Sequence, residues 1–207
     1  MIRETIKKYK ELGEYFDPEY ERDNEVLNDF KSNNQTLTKG QVDELKSILD
    51  EDDRLAKIFV ADLLYLYSDF DESLLDPMVT TAIRYRDPSF NRIFIHPCIR
   101  RFGYQKVLAS IKTKFIEGDI LDKIGVGRLL YWLRPEDPNE IADLINEIKK
   151  RSDQTDNLIE LYHYKLAIKS IDKKGNIPND IIALVAMIKE NPELEDLAFN
   201  QLGWSKK

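Results

Sequence analysis

Leu63-Leu64-Tyr65-Leu66-Tyr67 returns 66 residues later as Leu129-Leu130-Tyr131-Trp132-Leu133. Half of that offset aligns four segments: Ile58 to Tyr67, Asn91 to Arg100, Ile124 to Leu133 and Asn157 to Leu166, each 33 residues after the last. Val60, Ile93, Val126 and Ile159 fall in register, as do Leu66, Ile99, Trp132 and Lys165, where only the lysine breaks the apolar pattern. Within and between these segments apolar residues recur at helical spacing. Ile141, Leu144, Ile145 and Ile148 form one i, i+3, i+4, i+7 stripe, and Val107, Leu108, Ile111 and Phe115 form another. Sustained apolar/polar alternation and Asn-Gly or Asp-Gly hairpin signals are both missing, so the chain reads as all-α.

The punctuation agrees. Asp17-Pro18, Asp87-Pro88, Asp137-Pro138 and Pro178-Asn179-Asp180 read as helix starts, because a short acceptor side chain caps the helix and proline suits its first turn. Gly103, Gly118 and Gly175 read as stops. The spacing predicts helices over 2–15, 18–32, 38–50, 53–68, 72–86, 88–102, 104–117, 119–133, 138–152, 156–172, 178–190 and 193–202. Pro97 lies inside one of them and predicts a kink or break near Ile95–His96, since proline supplies no N–H and disfavours helix before it.

One helical hairpin cannot bury its apolar face alone, whereas stacked hairpins share a continuous core. The fold expected is a right-handed α-α superhelix, an α-solenoid of about four hairpins with period near 33. It occupies 1–207 as one domain: an N-terminal cap over 1–52, repeats over 53–190 and a C-terminal cap over 191–207. Residues 88–152 resemble bacterial HEAT-like repeats. The carriers are Pro97-Cys98-Ile99-Arg100-Arg101-Phe102-Gly103 leading into Val107-Leu108, and Gly118-Asp119-Ile120 leading into Lys123 to Leu133. The regular Asp and Arg ladder of that family is not reproduced. The resemblance implies a helical-repeat architecture and macromolecular partners, and no single activity.

Composition narrows the function classes. The 207 residues hold 31 basic and 38 acidic side chains, for a net charge of −7, with 42% hydrophobic residues and one Cys. That is too apolar for a disordered chain and leaves no multi-cysteine zinc cluster or disulfide framework. The N-terminal stretch does not read as a secretory signal, no segment reads as a membrane span, and a cytoplasmic location is expected. The charge is unevenly placed: net −10 over residues 1–83, +7 over 84–134 and −4 over 135–207. The central stretch holds seven of the eleven arginines: Arg84, Arg86, Arg92, Arg100, Arg101, Arg128 and Arg134. Guanidinium suits bidentate recognition of carboxylate or phosphate. Arg84, Arg86, Arg100, Arg101, Arg128 and Arg134 are therefore the candidate partner-binding residues. The opposing reading pairs them with acidic residues of neighbouring hairpins or with helix C-termini.

Other constellations are weaker. His96-Pro97-Cys98 could form part of a metal or thiol site, but neither residue has a local partner, and a buried cysteine is expected. Gly125-Val126-Gly127 lacks the third glycine and the preceding strand of a dinucleotide loop, so it reads as close helix packing. Asp50 to Asp53 and Glu193 to Asp196 read as acidic helix starts. No residue is assigned as catalytic, and no metal or cofactor is implied. The function expected is a non-enzymatic protein-interaction module whose partner is an acidic protein surface or peptide. One alternative is nucleic-acid binding, since Trp132 with Glu136 and Asp137 faintly resembles the HEAT-like DNA glycosylases. Another is an enzyme without a recognisable motif.

Overall fold

The computed structural model describes residues 2–12, 24–85, 87–130, 132–133, 137–172 and 177–202. Among these the chain is all-helical, with no strand. In chain order the helices are α1 (Ile2–Leu12), α2 (Glu25–Asn33), α3 (Lys39–Asp50), α4 (Arg54–Leu66), α5 (Leu75–Arg84), α6 (Asn91–Phe102), α7 (Tyr104–Glu117), α8 (Ile120–Leu129), α9 (Ala142–Ser152), α10 (Leu158–Asp172), α11 (Asn179–Lys189) and α12 (Pro192–Leu202). Short 3-10 turns precede α5, α6 and α9. The expected start at Asp17-Pro18, the stop at Gly175 and the Trp204 tail lie outside the described residues.

Contacts divide the chain into two compact units. The first comprises Met1–Ala82 and Arg92–Ser110, the second Ile83–Asn91 and Ile111–Lys207.

The first unit is organised on α4. Ala56 and every residue from Ile58 to Leu64 are buried, because this helix is apolar around its circumference and must be covered on all sides. α1, α2 and α3 cover it. Ile2, Ile6 and Tyr9 recur at helical spacing along the buried stripe of α1. Burial of each contributes about 1.5–3 kcal/mol against exposure. The Tyr9 ring packs edge-on against Phe59 at 5.3 Å, and its hydroxyl donates to the buried carboxylate of Asp62. The starts of α3 and α4 are set locally. Thr38 and Gln41 form a reciprocal capping box, and the Asp53 carboxylate accepts from the Ala56 amide at 3.1 Å.

The second unit is organised on α10, which contacts α8, α9 and α11. Ile124, Ile159, Ile188 and Ala198 bring α8, α10, α11 and α12 into one core cluster. The Gly125-Val126-Gly127 run lets two neighbours come close to α8, the end of α5 at Gly125 and α10 at Gly127. A Cβ on Gly125 would stand 2.2 Å from the Ile83 carbonyl oxygen, and one on Gly127 would stand 3.3 Å from that of His163.

The break expected as one outcome at Pro97 does not occur. α6 runs unbroken over Asn91–Phe102 with Pro97 inside it. The proline removes only the bond its own N–H would give to Ile93, while Ile93, Phe94, Ile95 and Cys98 are all buried. That burial outweighs one missing hydrogen bond. At the end of α6, Gly103 takes φ 83° and its amide returns to the Ile99 carbonyl at 2.9 Å. This left-handed stop suits glycine.

Candidate functional site

The candidate arginines are best followed from the helix ends that carry them. Arg84 closes α5, and Asp119 caps α8 by accepting from the Asp122 amide. The Arg84 guanidinium donates to Asp122 at 2.7 and 3.1 Å and to Asp119 at 2.8 Å. A cation thus sits at one helix C-terminus and two carboxylates at the next N-terminus, both favoured by the helix dipoles. The Asp122 hydrogen bonds hold the Arg84 pKa above its ordinary value. Asp119 is held below the usual carboxylate range, first by the Asp122 amide and then by Arg84.

Arg100 and Arg101 end α6 and serve the first unit in the same way. The Arg100 guanidinium donates to the carbonyls of Tyr65 and Tyr67, the latter at 3.0 Å, and lies 4.5 Å over the Tyr65 ring. The Tyr65 carbonyl belongs to the last turn of α4, where carbonyls receive no N–H from a following helical turn. Arg101 donates to the Phe70 carbonyl at 3.2 Å and pairs with Asp69 at 2.5 Å.

Arg128 departs most from the expectation of a surface residue. It is 9% exposed and donates to the Tyr85 carbonyl at 3.3 Å. Burial pushes its pKa down to about 10, against the pull of Asp87. Its neighbour His163 is buried on α10, and neither ring nitrogen has a hydrogen-bond partner among the described residues. Burial, then the charge of Arg128, pushes the imidazole down to about 3, so it is neutral at ordinary pH. Arg86 and Arg134 lie outside the described residues. Of the four described candidate arginines, Arg100 and Arg101 belong to the first unit and Arg84 and Arg128 to the second.

The remaining candidates resolve into structural parts. Cys98 is fully buried, and its thiol is pushed up to about 12, which leaves no reactive thiolate at neutral pH. Asp53 caps α4 and pairs with Lys10, while Glu51 pairs with Arg3. Among the described residues no group of three or more His, Cys, Asp or Glu side chains is placed to hold a metal ion.

A feature absent from the sequence reading lies in the second unit. Phe115 and Ile116 of α7, Lys123 of α8, and Glu147, Lys150 and Arg151 of α9 line a cleft of about 170 Å³ with Gln154. Ile116 is 54% exposed. Arg151 reaches toward the buried Glu160 at 3.8 Å, whereas Lys123 and Lys150 have no ion pair among the described residues. The cleft therefore holds three cations and one carboxylate beside an apolar wall. A larger cleft in the first unit, about 510 Å³, mixes Lys31 and Arg101 with Asp69, Asp71 and Glu72, and its charges largely cancel. Comparison with protein-family models, with curated proteins and with solved structures finds no match.

Proposed function

We propose that the chain is a non-enzymatic protein-interaction module that docks an acidic segment of a protein partner. The observation that carries this reading is the cleft of Lys123, Lys150 and Arg151 beside Ile116. A peptide bearing carboxylates and one aliphatic or aromatic side chain meets both halves of it. The carboxylates face the cations, and the apolar side chain covers Ile116. Lys123 belongs to the basic stretch 84–134. The arginines of that stretch play a lesser part in the proposal. Arg84 and Arg101 keep part of their side chains in solvent, so a partner could share them with the carboxylates they already hold. Arg100 is occupied by main-chain carbonyls, and Arg128 is enclosed. These internal engagements count against duplex nucleic acid, which needs guanidinium groups presented along one face.

The repeat architecture belongs to the same proposal. The pairs α4/α5, α6/α7, α8/α9 and α10/α11 would be the four hairpins of a right-handed α-solenoid. Burial supports the register: Val60, Ile93, Val126 and Ile159 are all buried. Leu66, Ile99, Trp132 and Lys165 are all half-buried.

A fluorescent peptide rich in Glu with interspersed Leu and Phe, titrated against the full chain, tests the reading. Binding in the range of ~10–100 μM is expected, weakening with salt. The double substitution Lys123→Glu/Lys150→Glu should weaken it at least tenfold with an unchanged melting curve. If the chain ignores the peptide and instead binds a short DNA duplex with a steep salt dependence, the nucleic-acid reading replaces this one.

A further inference from the structure

Behind the basic cleft of the second unit stands a carboxylate that does not line it. Glu160 is 3% exposed and lies in the first turn of α10. Asn157 caps that turn, its Oδ1 accepting from the Ile159 and Glu160 amides at 3.0 and 3.1 Å. Two hydroxyls fix the carboxylate: Thr155 donates to Oε2, and Tyr164 donates to Oε1 at 3.0 Å. A negative charge also suits this end of a helix. The Tyr164 ring packs edge-on against Phe115 at 5.7 Å, and Phe115 lines the cleft. Arg151 lies between this network and the cleft. Its Nη2 stands 3.8 Å from Oε1 of Glu160, while the side chain is 44% exposed and lines the cleft. Burial, then Glu160, raise the Tyr164 pKa above its ordinary value, and Arg151 opposes them, so its guanidinium acts on that hydroxyl as well.

We propose that Arg151 is the specificity-determining residue of this cleft and Glu160 its positioning residue: a guanidinium held from behind reads a planar carboxylate of the partner with its free edge. This assignment rests on the acidic-peptide reading of the cleft and names the group that is recognised there. A guanidinium is a planar fork of five N–H donors. Glu160 and the Tyr164 hydroxyl engage one side of the fork, and the exposed remainder faces the cleft. A glutamate or aspartate side chain placed there accepts two parallel hydrogen bonds. A loose arginine would surrender its rotamer freedom on binding, whereas the buried carboxylate has already restrained this one. Lys123 and Lys150 have no ion pair among the described residues. Each is a point charge on a flexible stem, which attracts an acidic partner without setting its angle. The contact between Tyr164 and Phe115 ties the apolar wall to the same anchor. The places for a carboxylate and for an apolar side chain therefore keep a fixed spacing.

Titration of the full chain and its variants with the fluorescent Glu-rich peptide tests this through the sign of one substitution. By charge alone, Glu160→Gln removes an anion from behind an acidic ligand and should tighten binding. As loss of the Arg151 anchor, it should instead weaken binding about fivefold. In an Arg151→Ala background there is nothing left to position, and Glu160→Gln should then tighten binding or leave it unchanged. A general loss of structure would not produce that inversion. Arg151→Lys keeps the charge at an exposed position but loses the fork, and should weaken binding about fivefold with the melting curve of the parent. If Glu160→Gln proves unstable, Arg151→Lys decides alone. Binding that Glu160→Gln tightens or leaves unchanged in the parent overturns the proposal, as does a loss below about twofold for Arg151→Lys, and in both cases the acidic-peptide reading stands. A parent chain that ignores the peptide overturns both.

Discussion

Nε of Arg84 lies 2.7 Å from Oδ1 of Asp122. The two residues are 38 positions apart, and the bond fastens the end of α5 to the start of α8. Asp122 is 7% exposed, so its charge depends on that guanidinium for compensation. Arg84→Met keeps the apolar stem and removes the charge. It should lower stability by about 1–2 kcal/mol, short of the full penalty for a buried pair because Arg84 itself is half in solvent. Urea denaturation of the two proteins at neutral pH measures the difference. The double variant Arg84→Met/Asp122→Leu should recover part of the loss, since no charge is then left uncompensated.

His163 makes stability depend on pH. Its imidazole is pushed down to about 3 in the fold, against an ordinary 6.5. Between those values the unfolded chain binds the proton and the folded chain does not. The contribution is fully present above about pH 6.5 and is lost as pH falls toward 3, at up to about 1.4 kcal/mol per pH unit. Wild type should therefore be about 2 kcal/mol less stable at pH 5 than at pH 7.5. His163→Leu, which removes the titrating group, should flatten that interval. Paired urea titrations at the two pH values check the sign as well as the size.

The glycines separate crowding from conformation. Gly125→Ala places a methyl against the Ile83 main chain, which cannot swing aside like a side chain, and should cost about 3 kcal/mol. Gly40→Ala meets nothing within 4 Å and lies in α3, so it should stabilise by a few tenths to about 1 kcal/mol. Gly103→Ala has open space but a left-handed backbone, and should cost about 1 kcal/mol. Thermal melts of the three variants should rank in that order of severity: 125, 103, 40.

Cys98 should report unfolding. With the thiol enclosed and its pKa pushed up to about 12, reaction with a chromogenic disulfide at pH 8 should be slow in the native protein and fast in denaturant. The labelling rate across a urea series should follow the unfolded fraction. Rapid labelling without denaturant would show that α6 opens on its own.

The helices were legible because their signals are local. Thr38, Asp53, Asp119 and Gly103 declare starts and stops within three or four residues of where the chain obeys them. The 3-10 turns before α5, α6 and α9 shorten the regular helices, which is why the expected starts at 72, 88 and 138 fall in the tighter geometry. At Pro97 no break occurs, because a local rule met a non-local force: burial of its neighbours kept the helix whole. The internal partners of the arginines were illegible for a related reason. Charge density along the chain cannot reveal partners 31 to 38 residues away. A signal was nonetheless present. Arg100 and Tyr67 are 33 apart, the repeat offset itself, and Arg84–Asp122 and Arg101–Phe70 are close to it. The acceptors these arginines reach therefore stand at or near one such offset along the sequence. The basic cleft was hidden because Lys123, Lys150 and Arg151 come from different helices and straddle the boundary of the charged stretch.

The Arg100 tie has a consequence for the order in which the protein is made. Synthesis proceeds from the N-terminus, and domains commonly fold as they emerge. The carbonyls of Tyr65 and Tyr67 stay without their guanidinium until residue 100 has left the ribosome, some thirty-five residues after α4 itself is complete. The most buried helix of the first unit thus has a provisional end during translation, and it is the nascent arginine that seals it.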